Sequence, residues 1–194
     1  MSAFPPADEL EVKALVDDAA ALRARLLRAG ARLEYRGEML DRRLDRGGAL
    51  AERDEVLRVR LYRPADGAAP HGVLSWKGPV SARAGYRHRA EIESHLPEPD
   101  PVLAILERLG FAVWQRIDRV VEVYRLGGAV LRLEWYPEMD VLLEVEGAPG
   151  EIERAIVATG LPRGRFLAES LPYFVAAYER RTGRPGQIAA PPAA

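Results

Sequence analysis

In the stretch ELEVKALV, Glu9, Glu11 and Lys13 stand two residues apart, with Leu10, Val12 and Ala14 between them. A strand repeats its side-chain direction every second residue, so this spacing puts two carboxylates and an ammonium on one face and aliphatic groups on the other. The pattern recurs along the chain. One parity carries Arg58 and Arg60, Ser75 and Lys77, Arg87, Arg89, Glu91 and Glu93, Arg132 and Glu134, and Glu144 and Glu146; the other carries Leu57, Val59, Leu61, Leu74, Trp76, Ile92, Leu131, Leu133, Leu143 and Val145.

Two arrangements satisfy this parity. One is an antiparallel sheet with a solvated charged face and helices on its apolar side. The other is a closed or nearly closed barrel with the charged face inward. Three details favour the barrel: the charged faces are nearly pure Glu and Arg/Lys; the acids come as E-x-E doublets in three strands; and such doublets on adjacent strands repel unless ions or ligands lie between them. Inside a barrel, carboxylates without histidine or cysteine suit a hard dication such as Mg²⁺ or Mn²⁺, and guanidinium forks and ammonium groups suit phosphoryl oxygens. The ligand this implies is a triphosphate or polyphosphate, with or without a base attached.

The elements that must position these groups are legible as alternating patterns. Period-two segments cover 57–62, 72–78, 86–93, 116–126, 129–136 and 140–146. Helices are predicted over 17–30, capped by Asp17 or Asp18 and stopped by Gly30; over 100–110, with Val102, Ile105, Leu106 and Leu109 inward; over 150–160; and over 166–182, where Pro172 must start or kink the helix. ADGAAPHG and LGG read as turns. ELEVK leading into a helix that ends at Gly30, and AEIES leading into one that ends at Gly110, form a weak internal repeat of β-α-β-β-like units.

With 194 residues, 48% of them hydrophobic, the chain fits one domain with a substantial core. Its 28 basic and 29 acidic residues give a net charge of −1, so no global field recruits a nucleic acid polymer or an anionic membrane. The absence of cysteine excludes disulfides and thiolate metal sites, and His71, His88 and His95 have no metal-ligand spacing. No apolar run reaches spanning length and the N-terminus lacks a signal-peptide pattern, so a cytoplasmic location is expected. Lys13 and Lys77 are the only lysines, and both fall in charged strand patterns.

In order along the chain, these motifs resemble the CYTH superfamily, the triphosphate tunnel metalloenzymes, which include class IV adenylate cyclases, thiamine triphosphatases and inorganic tripolyphosphatases. E-x-E-x-K stands as Glu9, Glu11 and Lys13. LRVR carries Arg58 and Arg60, LSWKGP carries Lys77, RAEIE carries Arg89, Glu91 and Glu93, and VLRLEWYPEMDVLLEVE carries Glu134, Glu144 and Glu146. ESLPYFVAAY resembles the family's closing helix.

The resemblance implies an α+β fold, an antiparallel eight-stranded β-barrel with a charged lumen and helices packed outside. It implies a single domain over 8–182 after an N-terminal extension over 1–7, and the composition of GRPGQIAAPPAA reads as a disordered tail over 183–194. Phosphate would bind among Lys13, Arg58, Arg60, Lys77, Arg87, Arg89, Arg119 and Arg132. Metal, Mg²⁺ or Mn²⁺, would bind Glu9, Glu11, Glu144, Glu146 and Glu134. Lys13 and Glu134 are the catalytic candidates, Lys13 as a base if burial among cations favours its neutral form. LSWKGP, YRHRAEIE and LGFAVWQRIDR are most similar to the cyclase branch, implying cyclic AMP and pyrophosphate from ATP. Hydrolysis of tripolyphosphate or thiamine triphosphate, and non-catalytic binding of a nucleotide or polyphosphate, are the alternatives. The partner is a small-molecule triphosphate, and a homodimer is left open. Three features depart from the family pattern: Val121 stands where a second basic residue follows Arg119; Glu134 stands where Asp is usual, with PEMD in place of the Gly-containing turn after it; and Arg43 takes the aromatic place of a D-x-Y-x-D element.

Overall fold

The structure, a computed structural model, describes residues 7–191. In chain order its elements are β1 (Ala7–Leu15), α1 (Ala19–Arg28), β2 (Arg32–Asp45), β3 (Val56–Pro64), β4 (His71–Lys77), β5 (Ser81–Arg83), β6 (Tyr86–Leu96), α2 (Pro99–Arg108), β7 (Ala112–Leu126), β8 (Ala129–Trp135), β9 (Leu142–Glu146), α3 (Pro149–Thr159) and α4 (Leu171–Thr182). The strands follow one another as β1-β9-β8-β7-β2-β3-β4-β6, and a further β1–β6 pairing closes the sheet into an antiparallel barrel. Short β5 adds to β6. Closure leaves no free edge along the barrel wall.

The weak internal repeat corresponds to the topology. β1-α1-β2-β3-β4 and β6-α2-β7-β8-β9 follow the same path, and the halves meet where β1 pairs with β6 and β2 with β7. Each half's first strand also pairs with the other half's last strand, β1 with β9 and β6 with β4.

The main apolar core lies outside the barrel wall. Leu10, Val12 and Ala14 of β1, Leu131 and Leu133 of β8, and Leu143 and Val145 of β9 pack outward against Leu22 and Leu26 of α1 and Ile152, Ala155 and Ile156 of α3. This burial holds the opposite parity inward, because a one-residue slip would place Glu and Arg beneath the helices. Asp18 caps α1, accepting from the Ala21 amide at 2.9 Å.

The structure adds a strand that the sequence reading lacked and moves the start of the closing helix. β2 has no strand pattern in the sequence: Arg36, Arg42 and Glu38 point away from the lumen, and register shifts at Leu33/Tyr35 and Arg43/Leu44 break the alternation. The closing helix starts at Leu171 rather than 166, because Leu167 is held extended by reciprocal backbone hydrogen bonds with Lys13 of 2.9 and 2.8 Å; Pro172 then sits in the first turn, where its missing N–H is tolerated. Past α4, the segment read as a disordered tail exchanges backbone hydrogen bonds between Gln187 and Glu138, and Ile188 accepts one from the Asp118 amide at 2.8 Å. The rest of that tail, 192–194, and residues 1–6 of the N-terminal extension lie outside the described residues.

Candidate functional site

The inward parity forms a cavity of about 590 Å³ running through the barrel. Each predicted site residue lines it: Glu9, Glu11 and Lys13 from β1, Arg58 and Arg60 from β3, Lys77 from β4, Arg87 and Arg89 from β6, Arg119 from β7, Arg132 and Glu134 from β8, and Glu144 and Glu146 from β9. A second hollow, between 33–36 and 64–68, lies outside the barrel and contains none of them.

These charges are arranged as ion pairs within strands and across the lumen wall. Lys13 Nζ contacts Glu11 at 2.9 Å and Glu144 at 2.7 Å. Lys77 pairs with Glu9 and, at 3.2 Å, with Glu91. Arg87 donates to Glu11 at 2.8 Å, Arg132 pairs with Glu144, and Arg89 reaches the Asp54 carboxylate at 2.7 Å. Arg119 and Arg132 both donate to Glu134, each at 3.0 Å, while the Tyr136 hydroxyl donates to its other oxygen at 2.6 Å. Burial would raise the Glu134 pKa, but these two guanidiniums and the phenol bring it down to about 2. Lys13 is therefore enclosed by carboxylates, not by the cations on which its proposed role as a base depends.

Asp41 was not among the expected site residues, although it belongs to the DRRLD segment. It is buried at the lumen wall and accepts both Arg60 Nε at 2.6 Å and Arg60 Nη2 at 3.0 Å, with Arg119 at 3.2 Å and Arg58 at 3.7 Å. Burial opposes its charge, yet the three guanidiniums hold its carboxyl well below the usual range. Asp41 thus fixes three phosphate-binding candidates in place. Its strand's broken alternation concealed it.

Besides Asp45, whose carboxylate accepts backbone amides, two lumen groups have no ionic partner among the described residues. Arg43 has none within salt-bridge distance; its Nη1 donates to the Gln115 side chain at 3.0 Å and its buried Nε has no partner. Burial, reinforced by Arg58, Arg119 and Arg60, lowers its pKa to about 10 despite nearby Asp41. Glu146 is the acidic counterpart. Burial first, and then the negative charge of Glu9, push its pKa up.

Glu146, Glu9, Glu11 and Glu144 therefore present only hard oxygen donors, with one uncompensated carboxylate among them, a donor set that suits a dication. Among the described residues no three such groups are already gathered in a metal-binding cluster, since Glu9, Glu11 and Glu144 are engaged by cations.

One end of the barrel is partly plugged. Ile117, Tyr136 and Leu142 meet Phe174 of α4, with Leu15, Leu167, Leu171 and Ile188 around them. Val121, at the position lacking a cation, is fully buried opposite Gly37.

The CYTH domain family matches residues 7–159. A Vibrio parahaemolyticus protein provisionally named an adenylate cyclase superposes with a TM-score of 0.73 at 15% identity, covering 87% of this chain and 97% of its own. The PH1819 protein of Pyrococcus horikoshii OT3 gives 0.67 at 21% identity, covering 91% and 99%. A Hippeastrum protein, provisionally an adenylyl cyclase and described as having a dominant triphosphatase activity, gives 0.59 at 20% identity, covering 91% and 96%. At these identities the similarity is one of fold. No curated protein matches the chain.

Proposed function

Since the chain belongs to the CYTH domain family, we propose that it is a metal-dependent enzyme that takes ATP into the charged barrel and acts as a class IV-like adenylate cyclase, forming cyclic AMP and pyrophosphate. The observation that carries this reading is that all the motif residues, dispersed from Glu9 to Glu146, converge on one cavity of about 590 Å³. A triphosphate is a chain of anionic oxygens, and the lumen presents cations from six successive strands, β8, β7, β2, β3, β4 and β6, with Lys13 on β1.

The ion pairs supply the mechanism of binding. Phosphoryl oxygens are acceptors of the same kind as carboxylates, so a triphosphate takes over Lys13, Lys77, Arg87 and Arg132 from Glu11, Glu144 and Glu9. The released carboxylates, together with Glu146, would hold the Mg²⁺ or Mn²⁺. When bound, the dication neutralises phosphate charge and lowers the pKa of a bound nucleophile. Arg58, Arg60 and Arg119, aligned by Asp41, hold the phosphates in a fixed track, and Arg119 and Arg132 are aligned by Glu134. In a cyclase this track orients the α-phosphorus toward the ribose 3′-hydroxyl, with pyrophosphate leaving. Stabilisation comes from charges positioned before the reaction, so little reorganisation is needed.

The test is to incubate the purified protein with Mg²⁺ or Mn²⁺ and ATP, tripolyphosphate or thiamine triphosphate, measuring cyclic AMP, pyrophosphate and orthophosphate. Cyclic AMP with pyrophosphate supports the cyclase. Orthophosphate without cyclic AMP replaces it with a triphosphatase, and binding without turnover replaces both with a sensor.

A further inference from the structure

Trp114 lies within LGFAVWQRIDR but was given no role there, yet it lines the charged cavity and is 57% exposed. Its position follows from an irregularity in the wall. Along the β2–β7 ladder Arg43 faces Gln115, and the next pair is Leu44 with Val113, so Trp114 has no partner across the ladder. An extra residue of this kind bends its strand and redirects a side chain, here onto the cavity rim. The indole has no aromatic partner among the described residues. Tyr62, another aromatic residue lining the cavity, is already stacked on His71 with ring centroids 5.0 Å apart.

The wall beside Trp114 is suited to an anion. Its neighbour Gln115 holds Arg43, the lumen cation without a carboxylate partner among the described residues, whose Nε is buried and unpaired. Nearby on the same lining, Ser170, Leu171 and Pro172 bring the start of α4 to the cavity. The two features are complementary. A guanidinium with no carboxylate partner among the described residues calls for anionic oxygens, and an uncovered indole face calls for a planar π system.

We propose that Trp114 is a specificity-determining stacking platform for the aromatic base of a nucleoside triphosphate, with Arg43 contacting its phosphate chain, so that the barrel selects an aromatic triphosphate ester over inorganic tripolyphosphate. This rests on the triphosphate-binding reading of the cavity, and it adds the residue that recognises the organic end of the ligand. Base stacking on an aromatic side chain depends on the π face and not on base-edge hydrogen bonds, so purine identity matters less than the presence of a ring.

Calorimetric titrations with ATP and with inorganic tripolyphosphate, each with Mg²⁺, test this on the full chain, Trp114→Ala and Trp114→Phe. Trp114→Ala is expected to raise the Kd for ATP by about ten- to a hundredfold while tripolyphosphate binds with the wild-type Kd; Trp114→Phe retains most of the ATP affinity. Circular dichroism confirms that each variant is folded. Equal ATP affinity in wild type and Trp114→Ala, with tripolyphosphate still bound, overturns the stacking platform and leaves the triphosphate reading standing. Equal loss for both ligands also overturns it, because the residue would then act on the wall and not on the base. A wild-type protein that binds neither ligand removes the triphosphate reading and this inference together.

Discussion

At the scale of single residues, the lumen contains charges that favour the fold and others that oppose it. Asp41 is the first kind. Replacing it with Asn leaves Arg58, Arg60 and Arg119 buried without their shared counter-charge, and stability is expected to fall by about 3–5 kcal/mol in urea unfolding. Its pH dependence follows from its depressed pKa. The folded carboxyl ionises below its unfolded value of 3.8, so its contribution is fully present above that value and is lost as pH falls through the folded pKa. Glu134 behaves alike between its unfolded value of 4.5 and about 2. The acid limb of a stability profile should therefore be shallower in Asp41→Asn than in wild type. Glu146 is the opposite case. Its folded pKa is raised, so what it contributes is present below its unfolded value and lost as pH rises through the folded one. Glu146→Gln should accordingly unfold at higher urea concentration at pH 7 and at the same time weaken Mg²⁺-dependent turnover by about tenfold or more. A loss of stability in that variant would show that Glu146 already has a cationic partner.

At the scale of elements, the strands that alternate cleanly were legible and those with bulges were not. β3, β8 and β9 alternate charge and aliphatic residues without interruption, so their inward parity, including Arg58, Arg60, Arg132 and Glu144, follows from period two alone. β2 carries charge on both faces because Arg36 and Arg42 pair outward with Glu122 and Asp118 of β7. That hid Asp41, the hub of the site, in a segment with no strand signature. Trp114 escaped for the related reason that a bulge breaks the parity by which it would be judged. The C-terminal helix was legible as a helix but not as a plug, since contact between Phe174 and Ile117, Tyr136 and Leu142 depends on residues far apart in sequence. Phe174→Ala is expected to lower stability by about 3–5 kcal/mol, read as a shift in urea midpoint at unchanged slope.

At the scale of the whole molecule, the protein places charge where most domains place hydrocarbon and keeps its apolar core between the outer wall and the helices. The lumen is close to electrically balanced by its own pairs, so a triphosphate gains little unless a dication enters with it. Thermal unfolding should therefore shift upward with tripolyphosphate and Mg²⁺ together, by the equivalent of about 2.7 kcal/mol at a hundredfold excess over Kd, and much less with either alone. An equal shift with tripolyphosphate alone would mean that the cations suffice. The β1–β6 seam has a further consequence for synthesis. β1 needs β6 on one side and β9 on the other, so during synthesis it waits until residue 146 before both its edges are paired. Throughout that wait, the face destined for the lumen is one that water solvates well. The nascent sheet can remain open without presenting a sticky interior, and the residues that later hold the ligand serve first as a solubility device during biogenesis.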